Sequence, residues 1–192
     1  MLSNNPVIVL GIPRSGTSYI AKVLHADMGI EMCRSVTAPY PGRDDFDWED
    51  LELQNQLVVS INMDEVYSAH KFKIYLSKRR EAKRAHYWGV KSPLLCMYPN
   101  VIPKDAFVIL TKRNLHDCIR SVNKLPINVE QKKRVLAIQD TCRKSLFAIK
   151  PNLTLDVDVL SKNEIRKIME DKIDEYYHPN TTHILSDSDG SE

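Results

Sequence analysis

The stretch Pro6-Val7-Ile8-Val9-Leu10-Gly11-Ile12-Pro13-Arg14-Ser15-Gly16-Thr17-Ser18 constrains this chain more than any other. A short β-branched apolar run passes into a Gly-x-x-x-x-Gly turn, and Tyr19-Ile20-Ala21-Lys22-Val23-Leu24 follows at helical spacing. That order predicts strand, loop and helix in direct succession. A turn of this kind wraps a phosphate. Its glycines admit a close backbone approach, successive N–H groups face inward, and the helix N-terminus adds partial positive charge.

The loop departs from a Walker A motif at an informative place. Where Gly-Lys-Ser/Thr would stand, the chain has Gly16-Thr17-Ser18, without the lysine that reaches β- and γ-phosphates. A guanidinium stands inside the loop instead, at Arg14. The combination suits a compact phosphate group better than a triphosphate with magnesium. The alternative is a strand-to-helix turn with no ligand, and Arg14 and the hydroxyls of Ser15, Thr17 and Ser18 weigh against it.

Further along, the residues alternate between strand and helix patterns. Gly29 suits a helix stop. Arg34 to Asp47 is rich in Pro, Gly and Asp and reads as a surface loop. Trp48 to Asn62 has helical spacing, with Leu51, Leu53, Leu57, Val58 and Ile61 as its apolar set and an acidic start at Asp47, Glu49 and Asp50. Lys71 to Arg84 is basic and reads as a solvated helix face, with an attractive field at an anion site as the alternative. His86 to Lys91 is a short strand ending at Ser92-Pro93, and Ala106 to Thr111 is a strand apolar throughout, as a parallel sheet requires. Leu115 to Lys124 is helical up to Pro126, Val129 to Ile149 is a long helix with Val135, Leu136, Ile138, Leu146 and Phe147 inward, and Leu153 to Val157 is another strand. Ser161-Lys162-Asn163-Glu164 has the capping-box form. The expected fold is α/β, a P-loop-like parallel sheet flanked by helices in three layers, with its ligand at the strand carboxyl ends.

Composition bounds the rest. The 192 residues suit one domain over 1–185, with an acidic tail over 186–192 that reads as disordered. Four widely separated cysteines, Cys33, Cys96, Cys118 and Cys142, show no metal or redox spacing and read as buried free thiols in a reducing compartment. A net charge of +2 and a basic stretch without interleaved aromatics speak against nucleic acid. The N-terminus has no charged leader, long apolar segment or cleavage site, so neither signal peptide nor membrane anchor is expected and a cytoplasmic protein is.

The strand at Phe107 to Thr111 runs directly into Lys112-Arg113-Asn114-Leu115-His116-Asp117-Cys118-Ile119-Arg120-Ser121. Together with Gly11 to Ser18, this Arg-Asn-x-x-Asp-x-x-x-Ser stretch resembles the sulfotransferases that use 3′-phosphoadenosine 5′-phosphosulfate (PAPS), in particular their small, bacterial-type members. The resemblance implies 5′-phosphate contacts from Arg14, Ser15, Gly16, Thr17 and Ser18, and 3′-phosphate contacts from Arg113 and Ser121. Gly89-Val90-Lys91-Ser92-Pro93 is similar to the family's Lys-x-Pro segment, whose lysine lies close to the transferred group. Asp47-Trp48-Glu49-Asp50 is similar to its Gly-Tyr-Phe-Glu-Asp segment, and Asp156-Val157-Asp158-Val159-Leu160 to its Tyr-Glu-Asp-Leu segment. The likeness runs from Val7 to about Leu160 in the family's order. Leu115 stands where the family commonly has proline, and the histidine base and the lid segment of cytosolic animal members have no counterpart. The resemblance therefore assigns no adenine or lid residues.

Sulfuryl transfer needs an in-line acceptor, a base for its proton, and cations where charge builds. The resemblance makes Glu49 the base, with Asp47 and Asp50 as neighbouring alternatives, and gives the leaving side to Lys91 and Arg14. The structural alternatives are a dipole-stabilising carboxylate for Glu49, a strand-end surface lysine for Lys91 and a salt bridge to Asp117 for Arg113. No metal site is expected. The expectation is an enzyme moving the sulfuryl group of PAPS, with 3′-phosphoadenosine 5′-phosphate (PAP) as product, to a small-molecule or glycan-like acceptor. Tyr40, Tyr67 and Trp48 either line the acceptor pocket or pack. The competing classes are a P-loop small-molecule kinase and a non-catalytic nucleotide-binding module of the same fold. Oligomeric state is not readable.

Overall fold

Apolar runs become strands where both faces can be covered. β1 (Val7–Leu10) is buried at all four positions, and β4 (Phe107–Lys112) at all but its last. The computed structural model describes residues 5–33, 48–82 and 87–178. In it β1 and β4 join β2 (Glu31–Met32), β3 (Trp88–Lys91) and β5 (Leu153–Asp156) in a five-stranded sheet of order β2-β3-β1-β4-β5, parallel at every pairing.

The two-residue period of the strands divides the core between the faces of the sheet. Ile8, Leu10, Val90, Val108 and Leu110 meet Leu53 and Leu57 of α2 (Leu51–Asn62), Phe72 and Tyr75 of α3 (Ala69–Ala82), Cys118 of α4 (Leu115–Asn123) and Cys142 of α5 (Val129–Ser145). Val7, Val9, Phe107 and Ile109 meet Ile20 and Leu24 of α1 (Thr17–Ala26), and Ile165, Met169 and Ile173 of α6 (Lys162–Tyr177). Each such side chain contributes roughly 1.5–3 kcal/mol of burial. The fold is a three-layer α/β/α arrangement. β1 lies between β3 and β4, so the chain leaves it in both directions and a crevice opens at the carboxyl ends of these three strands.

Helix ends follow local chemistry. Ser161 and Glu164 form the expected reciprocal cap of α6, and Asn128 and Gln131 do the same for α5. Gly29 takes φ +67, and the next N–H, of Ile30, returns to the Leu24 carbonyl at 2.9 Å, which turns the chain into β2. All four cysteines are buried.

Several expectations need correction. β2 has no counterpart in the sequence reading, because two residues carry no readable period. The helix expected from Trp48 starts at Leu51, and it leaves Leu51 and Val58 51% and 39% exposed. The helix expected to reach Ile149 ends at Ser145. A 3-10 turn over Leu146–Ala148 then swings Phe147 outward, where it is 90% exposed. Trp48 and Tyr67 pack in the cores; Tyr67 also borders clefts beside α2 and α3, and it donates its hydroxyl to Gln56 Oε1 at 2.6 Å. The loop over 34–47 with Tyr40 and Asp47, the basic Lys83 and Arg84, and the tail over 186–192 lie outside the described residues. Among the described residues no helix is long and apolar enough to cross a membrane.

Candidate functional site

The loop between β1 and α1 is braced from below. Thr111 at the end of β4 donates to the Leu10 carbonyl at 3.2 Å, so the 2.6 Å contact between Thr111 Oγ1 and Ser15 Oγ has Ser15 as its donor. The Ser15 N–H turns back to the Ile12 carbonyl at 3.0 Å. Ser15, fully buried, therefore holds the loop's shape instead of presenting its donors outward. Gly11 sits over this pair. A Cβ there would lie 2.1 Å from Thr111 Oγ1 and 2.4 Å from Ser15 Oγ, so the loop closes this tightly only on glycine.

The same loop is held from the side through its carbonyls. Gln139 of α5 donates Nε2 to the Pro13 carbonyl at 2.7 Å, and Arg113 donates Nη1 to the Arg14 carbonyl at 3.3 Å. The Cys118 thiol also reaches the Arg14 carbonyl, at 3.7 Å. Burial pushes that thiol up to about 11, against the smaller opposing influence of Arg113 and Arg14. Gly16, at φ +94, is the N-cap of α1 and has no side chain to cap it. The first turn of a helix has N–H groups without intrahelical acceptors, and here that turn follows the loop directly.

Two of the sequence-predicted groups meet at Arg14. It adopts φ +73, a left-handed conformation uncommon for a residue with a side chain. Its Nε donates to Ser121 Oγ at 2.9 Å, across 107 residues of chain. Arg113 is not paired with Asp117, as the sequence suggested. Asp117 pairs with Arg120, and Arg113 Nε lies 3.4 Å from Asp158 Oδ1 in the turn after β5. Asp158 also accepts from the Asn114 N–H, which ties the turns after β4 and β5 together.

Lys91 and Glu49 form the second group. Lys91, at the end of β3, is buried and not a surface lysine. Its Nζ lies 2.7 Å from Glu49 Oε1 and donates to Ser18 Oγ at 3.1 Å. One ammonium thus spans the start of α1 and the candidate base, whose side chain is 24% exposed. Asp50, weighed as an alternative base, is capped over: it is the N-cap of α2 and pairs with Arg79. Away from this group, a cleft of about 480 Å³ lies beside the Arg113–Asp158 pair, lined by Ile12, Thr111, Arg113, Leu115, Leu146 and Asp158 among others.

Sequence reasoning missed Thr111, Gln139 and Asp158. Thr111 and Asp158 lie inside stretches already singled out. Gln139 stood as a polar residue within the inward spacing of α5, a signal that was there to be read.

Neither a protein-family model nor a curated protein matches the chain. Among solved structures the chain is similar to TT1252 from Thermus thermophilus, at 15% identity and a TM-score of 0.52, over 88% of this chain and 96% of that one. The likeness extends through both chains and is one of fold.

Proposed function

We propose that this chain is a sulfotransferase that moves the sulfuryl group of PAPS to a hydroxyl or amine of a small-molecule or glycan-like acceptor, with PAP released. One observation carries the reading: both candidate phosphate motifs converge on Arg14, whose Nε holds Ser121 and whose carbonyl holds Arg113. A donor with phosphate on both the 3′ and 5′ positions requires two cationic sites a ribose apart. An NTP-binding loop would instead need a lysine at the position of Thr17.

The residues fit such a donor. Arg14, Gly16, Thr17 and Ser18 at the start of α1 would take the 5′ side, over the foundation that Ser15 supplies. Arg113 and Ser121 would take the 3′-phosphate. Lys91 neutralises charge that develops on the oxygen between phosphorus and sulfur as that S–O bond breaks. Glu49 accepts the proton of the acceptor as the new S–O or S–N bond forms. Lys91 touches both Ser18 and Glu49, so the base and the leaving side share one cation. In this reading the protein works in the cytoplasm, on neither nucleic acid nor membrane.

Calorimetry tests the donor without an acceptor. PAP is expected to bind in the micromolar range without metal, ADP more weakly, and Arg113→Ala is expected to lose the preference. A preference for ATP with magnesium, or indifference to the 3′-phosphate, would overturn the sulfotransferase reading in favour of a kinase.

A further inference from the structure

The chain changes layers at Trp48-Glu49-Asp50, and both flanks of Glu49 are fixed. Trp48 is buried in the core on the α1/α6 face, its ring centroid 5.1 Å from that of His25, whereas α2 beyond it packs in the other core. Trp48 holds φ +55, which a bulky residue adopts only when its surroundings impose it. On the far side of Glu49, the Asp50 side chain is entirely buried. It accepts from the Leu53 N–H at 3.0 Å and forms an ion pair with Arg79 of α3, whose guanidinium also lies 5.7 Å from the Tyr75 ring centroid.

Capping α2 requires much less than this. Asparagine or serine caps a helix without a buried charge, and a buried ion pair is often no more stabilising than apolar residues of the same volume. Among the described basic residues of α3, Lys71, Lys73, Lys78 and Arg80 are exposed, and Arg79 turns inward. What the pair does secure is direction. With Trp48 and Asp50 immobile, the backbone of Glu49 has one orientation, and its carboxylate meets Lys91 at 2.7 Å.

We infer that Asp50 and Arg79 are positioning residues that, with Trp48, hold the Glu49 carboxylate against Lys91 from outside the site. The functional weight of this clamp rests on the reading of Glu49 as the base, but its existence is tested without turnover. The probe is amidination of Lys91 by methyl acetimidate on the full-length protein, followed by mass spectrometry. Lys91 is expected to react slowly in the wild type. Glu49→Gln should speed the reaction by roughly tenfold or more, since it removes a charge-assisted hydrogen bond. Arg79→Met and Asp50→Asn should each approach that rate, and Arg79→Lys should recover much of the protection.

The double variant Glu49→Gln/Arg79→Met separates positioning from general loosening. If Arg79 acts through Glu49, the double variant reacts no faster than Glu49→Gln alone. Full additivity, or unchanged Lys91 reactivity in both Arg79→Met and Asp50→Asn, would overturn the clamp. PAP calorimetry on the wild type reads the sulfotransferase proposal separately. Absence of PAP binding there removes the donor assignment, and the Lys91 rates still decide the clamp.

Discussion

Arg14 Nε donates to Ser121 Oγ at 2.9 Å, and this contact joins the first loop to a helix that begins a hundred residues later in the chain. The loop sits at the end of β1 and the helix follows β4, so the parallel pairing of these two strands brings the contact about. A sequence motif split between two strands becomes one site because those strands are neighbours.

Arg14 carries both backbone strain and a guanidinium, and substitution separates the two. Arg14→Gly relieves a left-handed conformation that costs roughly 1–2 kcal/mol on a residue with a Cβ. Arg14→Ala keeps the strain. Both lose the guanidinium, worth about 1.5–3 kcal/mol toward a charged partner. Both variants are therefore expected to bind PAP on the order of ten- to a hundredfold more weakly, with Arg14→Gly melting above Arg14→Ala. Equal affinity of either variant and wild type in calorimetry would remove Arg14 from the site.

Asp158 faces Arg113 where a phosphate is proposed to bind. Both side chains are about one-third exposed, so the pair is worth at most about 1 kcal/mol. Asp158→Asn keeps an acceptor for the Asn114 N–H and removes the competing charge. PAP affinity is expected to rise by up to about fivefold, with a steeper loss on adding salt. A weaker affinity instead would mean that Asp158 aims Arg113 rather than competing with the ligand.

The Ser15 and Thr111 hydroxyls form a buried pair with one further outlet, the Leu10 carbonyl. Thr111→Val strands the Ser15 donor and should lower stability by about 1–3 kcal/mol in urea unfolding. Ser15→Ala should cost less, because Thr111 keeps its bond to the Leu10 carbonyl. The double variant should be less destabilised than the sum of the two, since it leaves no hydroxyl of the pair behind. Simple additivity would show that the pair is not a unit.

The parts of this architecture that the sequence revealed are those with a local cause. β1 and β4 are apolar because both their faces are covered, and Gly16 and Arg14 stand out because a tight strand-to-helix turn takes unusual residues at close spacing. The unreadable parts depend on what lies across the fold. Nothing in Lys78-Arg79-Arg80 says that the middle residue turns inward, since that follows from where Asp50 comes to lie. Asp117 is the acidic residue near Arg113 in the sequence, in the helix that follows it, but the sheet pairs β4 with β5 and brings Asp158 nearer. The helical period of α5, carried past Ser145, puts Phe147 inward, but the helix ends at Ser145. Gln139 is legible as a polar residue among the inward positions of that helix, but its partner, the Pro13 carbonyl, follows only from where the β1–α1 loop comes to lie.

Asp50 makes the fold sensitive to acid. Burial raises its carboxyl, but the hydrogen bonds from Arg79 and the Leu53 N–H outweigh burial and hold it below its ordinary value of 3.8. The folded form thus binds this proton less readily than the unfolded chain. The associated stability is fully present above pH 3.8 and is lost as pH falls through the lower folded value. Asp50→Asn retains a competent helix cap and abolishes the titration. In urea unfolding the variant should be less stable than wild type at neutral pH, with the difference shrinking as pH drops below 3.8. A gap that stays constant with pH would show that ionisation of Asp50 against Arg79 adds nothing to the fold.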